Sequence, residues 1–173
     1  MQCMFSRLGW KQGAMDTLSR EHRTKNMAAI RSRDTAPELK VRRALFKAGL
    51  RYRLYDKRLP GRPDIVFSAR SLVVFVHGCF WHGCTKCVDG TRKVKSNKGY
   101  WSKKIRTNKE RDARNVRKLV AAGWRVEEIW ECETSEAIFL ARFVRRVCKY
   151  KPLTSARSLV TQSDLRLTSQ DDQ

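Results

Sequence analysis

His77, Cys79, His82, Cys84 and Cys87 fall within one short stretch, which also carries the adjacent aromatics Phe80 and Trp81. Imidazole is the side chain that gains and loses a proton near neutral pH. Cysteines spaced C-x4-C-x2-C can wrap a single tetrahedral zinc ion, which takes thiolate and imidazole ligands. Three sulfurs leave such a site one ligand short. Cys132, at the end of a later strand pattern, is the candidate fourth ligand, and His82 is the competing one within the loop. An all-cysteine site would be structural and would leave both histidines free for acid and base work.

The elements that must hold this stretch follow from the flanking pattern. Leu72-Val73-Val74-Phe75-Val76 is an apolar, β-branched run that predicts a buried strand ending at His77. Asp64-Ile65-Val66-Phe67 is a second such strand, and the short link Ser68-Ala69-Arg70-Ser71 makes the two a hairpin. Pairing them sets Asp64 beside the His77 end. Before the hairpin, Leu59-Pro60-Gly61-Arg62-Pro63 forces a turn. Further upstream, Thr35-Ala36-Pro37-Glu38 reads as a capping box opening a helix, with Val41, Leu45 and Ala48 as its buried stripe and Gly49 as its stop. Leu50 to Tyr55 reads as a strand.

Downstream, Val88 to Lys98 reads as a basic loop close to phosphates. Tyr100-Trp101 opens a long helix to about Ala122, with Ala113, Val116 and Val120 on its inner face and Gly123 ending it. Trp124 to Trp130 reads as a strand delivering Glu131 and Cys132. A helix followed by a strand argues for a crossover connection and a mixed sheet. Glu136 to Val147 is a last amphipathic helix, with Ile138, Phe139, Phe143 and Val147 inward.

With 173 residues the chain suits one domain with its own core. The expected limits are a leader over residues 1–18, a domain over 19–150 and a disordered polar tail over 151–173, and Met15 is an alternative start. Against 17 acidic residues stand 38 Lys and Arg, a net charge of +21 that points to a polyanion, foremost nucleic acid. No apolar run is long enough to span a bilayer, and no lipidation or secretory pattern is present, so a cytoplasmic, nucleoid-associated protein without membrane contact is expected. In that setting clustered cysteines indicate metal rather than disulfides, while Cys3 and Cys148 are free thiols. Within the basic segment from Glu21 to Arg33, Met27 and Ile30 suit either an arm lying on DNA or an ordinary amphipathic helix.

Taken in order, several of these motifs resemble the very short patch repair endonucleases. They are Leu59-Pro60-Gly61-Arg62-Pro63-Asp64, the run from Phe75 to His82, Tyr100-Trp101, Asn108-Lys109-Glu110-Arg111-Asp112, Gly123-Trp124-Arg125-Val126 and Trp130-Glu131-Cys132. Thr24 to Ile30 and Arg33-Asp34-Thr35-Ala36 extend the likeness, which runs from about Ser19 to Glu133. The resemblance implies an α/β fold like that of the type II restriction endonucleases, a mixed central β-sheet flanked by helices, with a structural zinc site. It implies nicking of the thymine-containing strand beside a T:G mismatch left by deamination of 5-methylcytosine.

Carried onto this chain, the resemblance makes Asp64 the carboxylate that holds catalytic magnesium, with the backbone carbonyl of Val76 beside it. His77 and His82 match the active-site histidines and Glu38 an acidic helper on the first helix. Between the two imidazoles the tasks of activating water and orienting phosphate remain interchangeable, with His82 preferred for the water. Phe80, Trp81 and Trp101 match aromatics wedged into the base stack, where flat apolar rings replace lost stacking. Met27 and Ile30 press from the other groove. Cys79, Cys84, Cys87 and Cys132 are the zinc set. Val76 stands where the family often has Thr, Cys84 where the best-known pattern has His, and Cys87 at a slightly different spacing. Double-stranded DNA with a T:G mismatch is the expected partner, mismatch-repair proteins are candidate recruiters, and a monomer suffices for an asymmetric target. Two rival readings remain: a nuclease of the same fold without mismatch specificity, and a zinc-stabilised DNA-binding protein without catalysis.

Overall fold

The computed structural model describes residues 33–94 and 97–153, together with Ser19, Glu21, His22 and Lys25. The chain divides into two compact units, Met1–Asp34 and Thr35–Gln173. In the first, Glu21, His22 and Lys25 have helical backbone, and the His22 N–H donates to Ser19 Oγ at 3.2 Å. Met27 and Ile30 lie outside the described residues, as do Cys3 and residues 154–173.

The second unit is built on a four-stranded mixed sheet in the order β1 (Arg53–Leu54), β2 (Ile65–Phe67), β3 (Leu72–His77), β4 (Arg125–Trp130). β1 pairs antiparallel with β2, β2 antiparallel with β3, and β3 parallel with β4. The expected hairpin forms with Ile65 opposite Val74. The strand expected from Leu50 to Tyr55 shortens to two residues, because exposed Arg53 and Leu54 form a sheet edge and Tyr55 turns away with a positive φ of 49°.

Helices cover both faces. On one, α1 (Ala36–Lys47) and α6 (Ala137–Lys149) meet the sheet through a core of Val41, Leu45, Ile65, Phe67, Leu72, Val74, Ile129, Phe143 and Val147. On the other, α4 (Lys98–Ala121) closes a smaller core of Leu59, Val66, Val73, Phe75 and Leu119. Because α4 lies within the long β3-to-β4 connection, this is the crossover that a parallel pair requires. Between β3 and α4 come two single turns, α2 (Cys79–His82) and α3 (Val88–Thr91), and α5 (Glu131–Ser135) follows β4. The basic segment after Cys87 is therefore part helix rather than all loop.

Several expected core positions are displaced. Ala48 is exposed, since α1 ends at Lys47. On α4, Ala113 and Val120 face solvent, and the inner stripe runs through Trp101, Ile105, Asn108, Asp112, Val116 and Leu119. Polar residues occupy this stripe because it passes beneath the site described below. On α6, Phe143 and Val147 are buried, but Ile138 is 55 % exposed and Phe139 44 %. Phe139 instead edges a surface cleft shared with Arg142 and Arg146. The Thr35 hydroxyl does not cap a helical N–H; it donates to Glu38 Oε1 at 2.8 Å, because Glu38 is turned inward. At the C-terminal side, the Leu153 N–H donates to the Ala69 carbonyl at 2.8 Å.

Candidate active site and thiolate cluster

Two parallel strands that end in register deliver their next residues side by side. His77 pairs with Trp130, so Cys79 and Cys132, each two residues further on, arrive together. The Cys132 N–H donates to Cys79 Sγ at 3.3 Å, and the Lys86 N–H donates to Cys84 Sγ at 3.3 Å. The four sulfurs of Cys79, Cys84, Cys87 and Cys132 lie within 4.8 Å of one another. Cys148 is a separate, exposed free thiol.

The packing around these sulfurs is tight. A Cβ added at Gly90 would sit 2.1 Å from the Cys84 carbonyl oxygen, so only glycine lets α3 close over Cys84. The Gly90 N–H also lowers the pKa of Cys87. Burial pushes the Cys79 thiol far above its usual range and raises Cys132 to about 11. Cys79 and Cys132 thus resist ionising without a cation beside them, and the four converging sulfurs, with backbone N–H groups aimed at two of them, fit a soft tetrahedral dication such as zinc. The fourth sulfur of this group is that of Cys132. His82 is held elsewhere.

On the α4 side of β3 the imidazoles of His77 and His82 lie with ring centroids 4.5 Å apart. Each has its own carboxylate. His82 Nδ1 is 2.5 Å from Asp112 Oδ2, on the inner stripe of α4. His77 Nε2 is 3.0 Å from Glu128 Oε1, on β4. A carboxylate only accepts, so those two ring nitrogens carry the protons, leaving Nε2 of His82 and Nδ1 of His77 as the other ring positions. Burial raises Asp112, but the His82 hydrogen bond and the nearby charges more than offset it, so its pKa falls. The hydrogen bond from His77 lowers Glu128.

Asp64 immediately precedes β2 and accepts a hydrogen bond from the Val76 N–H at 2.8 Å. Burial pushes its carboxyl up to about 6; the Val76 N–H pulls against this, Glu38 adds to it, and His77 and Arg42 lower it. Buried Glu38 accepts from Arg42 at 2.8 Å and from the Tyr55 hydroxyl at 2.5 Å. A buried carboxylate that resists ionising, with a second one nearby, suits a hard dication that takes one or two carboxylates and fills its remaining positions with water and phosphate, as magnesium does. His77, His82 and Asp112 also bring ligand atoms within 4.8 Å of one another, so this group too can hold a metal.

Phe80 packs edge-on against Trp81 and Trp101, which are tilted to each other, in a mutual cluster with centroid separations of 5.1 to 5.5 Å. All three are half-buried, and Tyr100 beside them is 60 % exposed. Buried Asn108 donates from Nδ2 to the Trp81 carbonyl at 2.9 Å, tying α2 to α4. The aromatic loop is thus anchored at its backbone and open at its rings.

The structure brings Asp64, His77 and Glu38 into one electrostatic neighbourhood and His82 into contact with His77. Sequence reasoning gave no role to Asp112, Glu128 or Asn108. Asn108 and Asp112 are four residues apart, one helical turn, on the buried stripe, a signal hidden by scoring only apolar positions. Glu127 and Glu128 are adjacent in a strand, so they must face opposite sides. Glu127 turns to the α6 side and pairs with Arg146 at 2.7 Å and Tyr150 at 2.6 Å, whereas Glu128 turns to His77.

Comparison with known proteins points to DNA endonucleases. Residues 15–88 match the family profile "DNA mismatch endonuclease Vsr". The chain is 48 % identical over 132 residues to the type II nicking enzyme V.XorIIP of Xanthomonas oryzae pv. oryzae, covering 76 % of this chain and 96 % of that protein. It is 44 % identical over 137 residues to V.NmeAIP of Neisseria meningitidis, covering 79 % and 96 %. The DNA mismatch endonuclease Vsr of Escherichia coli K12 is 43 % identical over 121 residues, covering 68 % of this chain and 74 % of that one. With thiolate and imidazole clusters at the ends of the same strand pair and this extent of identity, the chain belongs to the Vsr family of DNA endonucleases.

Proposed function

We propose that this protein nicks the thymine-containing strand of double-stranded DNA beside a T:G mismatch, as a magnesium-dependent enzyme with a structural zinc site. The observation that carries this reading is the grouping of Asp64 with two carboxylate-held imidazoles next to a half-open aromatic cluster. The "DNA mismatch endonuclease" name of the Escherichia coli relative supports the substrate. The fold fits a restriction-endonuclease-like scaffold, a sheet with helices on both faces and its chemistry at strand ends.

Hydrolysis of a phosphodiester needs a deprotonated water in line, charge compensation at the non-bridging oxygens and a proton for the leaving oxygen. Asp64 and the Val76 carbonyl would hold magnesium, which supplies the charge compensation when bound. His82, kept in its Nδ1–H form by Asp112, offers Nε2 to take the proton of the attacking water. His77, when Nδ1 also carries a proton, can donate it to a phosphate oxygen or pass it to the leaving oxygen, while Nε2–H stays on Glu128. Glu38, fixed by Arg42 and Tyr55, keeps negative charge beside Asp64 and so strengthens its hold on a cation. Phe80, Trp81 and Trp101 insert at the mispaired step, where their faces replace the stacking that is lost. Cys79, Cys84, Cys87 and Cys132 hold zinc and lock the loop bearing Phe80, Trp81 and His82 to the end of β4.

The test is a panel of strand-labelled duplexes bearing one T:G mismatch in several flanking sequences, against T:A and C:G controls. Nicking confined to the thymine strand beside the mismatch is the expected result. Equal cutting of the controls would replace it with a nuclease lacking mismatch specificity.

A further inference from the structure

We propose that Glu128 is a positioning residue of the nicking site, holding the His77 ring in one orientation and one tautomer. This rests on the reading above that the cluster cuts DNA. β4 carries Glu128 opposite Phe75, and His77 lies two residues beyond Phe75 on the same face of β3. That diagonal places side chains of adjacent strands within reach. The contact is 3.0 Å from His77 Nε2 to Glu128 Oε1. The ring's aromatic neighbours are Phe75 stacked at 6.0 Å, Trp130 at 5.2 Å and His82 at 4.5 Å between centroids, and the Asp112 carboxylate, hydrogen-bonded to His82, has an oxygen within 4.8 Å of a His77 nitrogen. Flat neighbours restrain the plane of an imidazole but do not distinguish its two nitrogens. Glu128 does, because it is a pure acceptor and requires a proton on Nε2.

Asp112 does the same for His82 from the opposite nitrogen, through Nδ1. Two adjoining imidazoles are thereby set in opposite tautomers, so that His82 presents Nε2 and His77 presents Nδ1. This assignment separates two rings that their residue type alone leaves interchangeable. The Glu128 side chain is 43 % exposed, so its cost as a mid-strand carboxylate is small and its removal leaves the core intact.

The experiment compares the full-length wild type with Glu128→Leu and Glu128→Gln. It measures the single-turnover rate on a T:G duplex, the affinity for that duplex, the unfolding midpoint, and the ring-nitrogen chemical shifts of His77. The chain has 3 histidines, so single substitutions assign the signals. Glu128→Leu is expected to slow cutting roughly tenfold to a hundredfold, the usual loss when the partner orienting a functional group is removed. Affinity and unfolding midpoint should stay at wild-type values, and His77 should lose its fixed Nε2 proton. Glu128→Gln, whose amide oxygen still accepts, should retain the tautomer and recover most of the rate. Wild-type cutting by Glu128→Leu, or unchanged His77 nitrogen shifts in that variant, would overturn the proposal. Failure of the wild type to nick any T:G duplex would instead remove the functional reading, while the nitrogen shifts would still report on Glu128 and His77.

Discussion

The two cation-competent clusters of this protein lie at the same end of the same strand pair, yet they are built in opposite ways. Cys79, Cys84, Cys87 and Cys132 converge on one another, receive backbone N–H groups and are roofed by a turn that admits no Cβ at Gly90. The donors are spent on a common centre. Asp64, His77 and His82 each turn to a different partner, the Val76 N–H, Glu128 and Asp112, and every imidazole keeps a second nitrogen for other use. Closure suits a site that supplies stability, and separate tethering suits one that must admit a phosphate. One device, register at the ends of parallel strands, produces both.

Substitutions should separate the two clusters by what they damage. Asp64→Asn has the largest expected effect: loss of a cation that contributes several kcal/mol at the developing charge lowers the nicking rate by roughly a thousandfold or more. DNA affinity in a gel-shift assay should change little. Asp112→Asn frees the His82 tautomer and should cost on the order of a hundredfold in single-turnover rate, again with an unchanged unfolding midpoint. Cys132→Ser should do the reverse. Metal analysis should find the bound zinc lost and the domain destabilised by several kcal/mol, since metal binding free energy is folding free energy. If Cys132→Ser left both zinc content and stability intact, the thiolate cluster would not be a metal site.

A smaller contrast lies on α4. Leu119→Ala should destabilise by about 2–5 kcal/mol in urea unfolding, whereas Val120→Ala, on the solvent side, should stay within about 0.5 kcal/mol. A further expected effect is one of pH. The Asp64 carboxyl titrates at about 6 when folded, against an ordinary value of 3.8, so the folded chain holds that proton more tightly than the unfolded one. Its contribution to stability is present at low pH and is lost as pH rises from about 4 through 6. Without added divalent cation, the stability difference between wild type and Asp64→Asn should shift against the wild type across that window.

The same contrast explains what was legible in the sequence. Apolar, β-branched β2 and β3 gave away their pairing, and with it the nearness of Asp64 to His77. The thiolate set was readable from spacing plus one strand end. Asn108 and Asp112 stood out only as part of a family-like motif, and neither they nor Glu128 had a role, because they occupy inner positions where an apolar pattern was sought; on the same helix the buried apolar position is Leu119 rather than Val120. Ile138 and Phe139 misled in the other direction: both stay exposed in the first turn of α6, and Phe139 edges the cleft with Arg142 and Arg146. Thr35 and Glu38 matched a capping pattern, but burial beside Arg42 and Tyr55 drew Glu38 away from the helix end. Periodicity reports burial, and a functional site is where burial and polarity coincide.

Most direct is a measurement of nicking against metal content. Protein dialysed free of loosely held cations should retain about one zinc per chain, the number a single closed tetrathiolate site binds, and keep its fold. It should cut no T:G duplex until magnesium is added, and then only the thymine strand. Cutting at full rate with zinc bound and magnesium absent would contradict the division of labour between the two clusters.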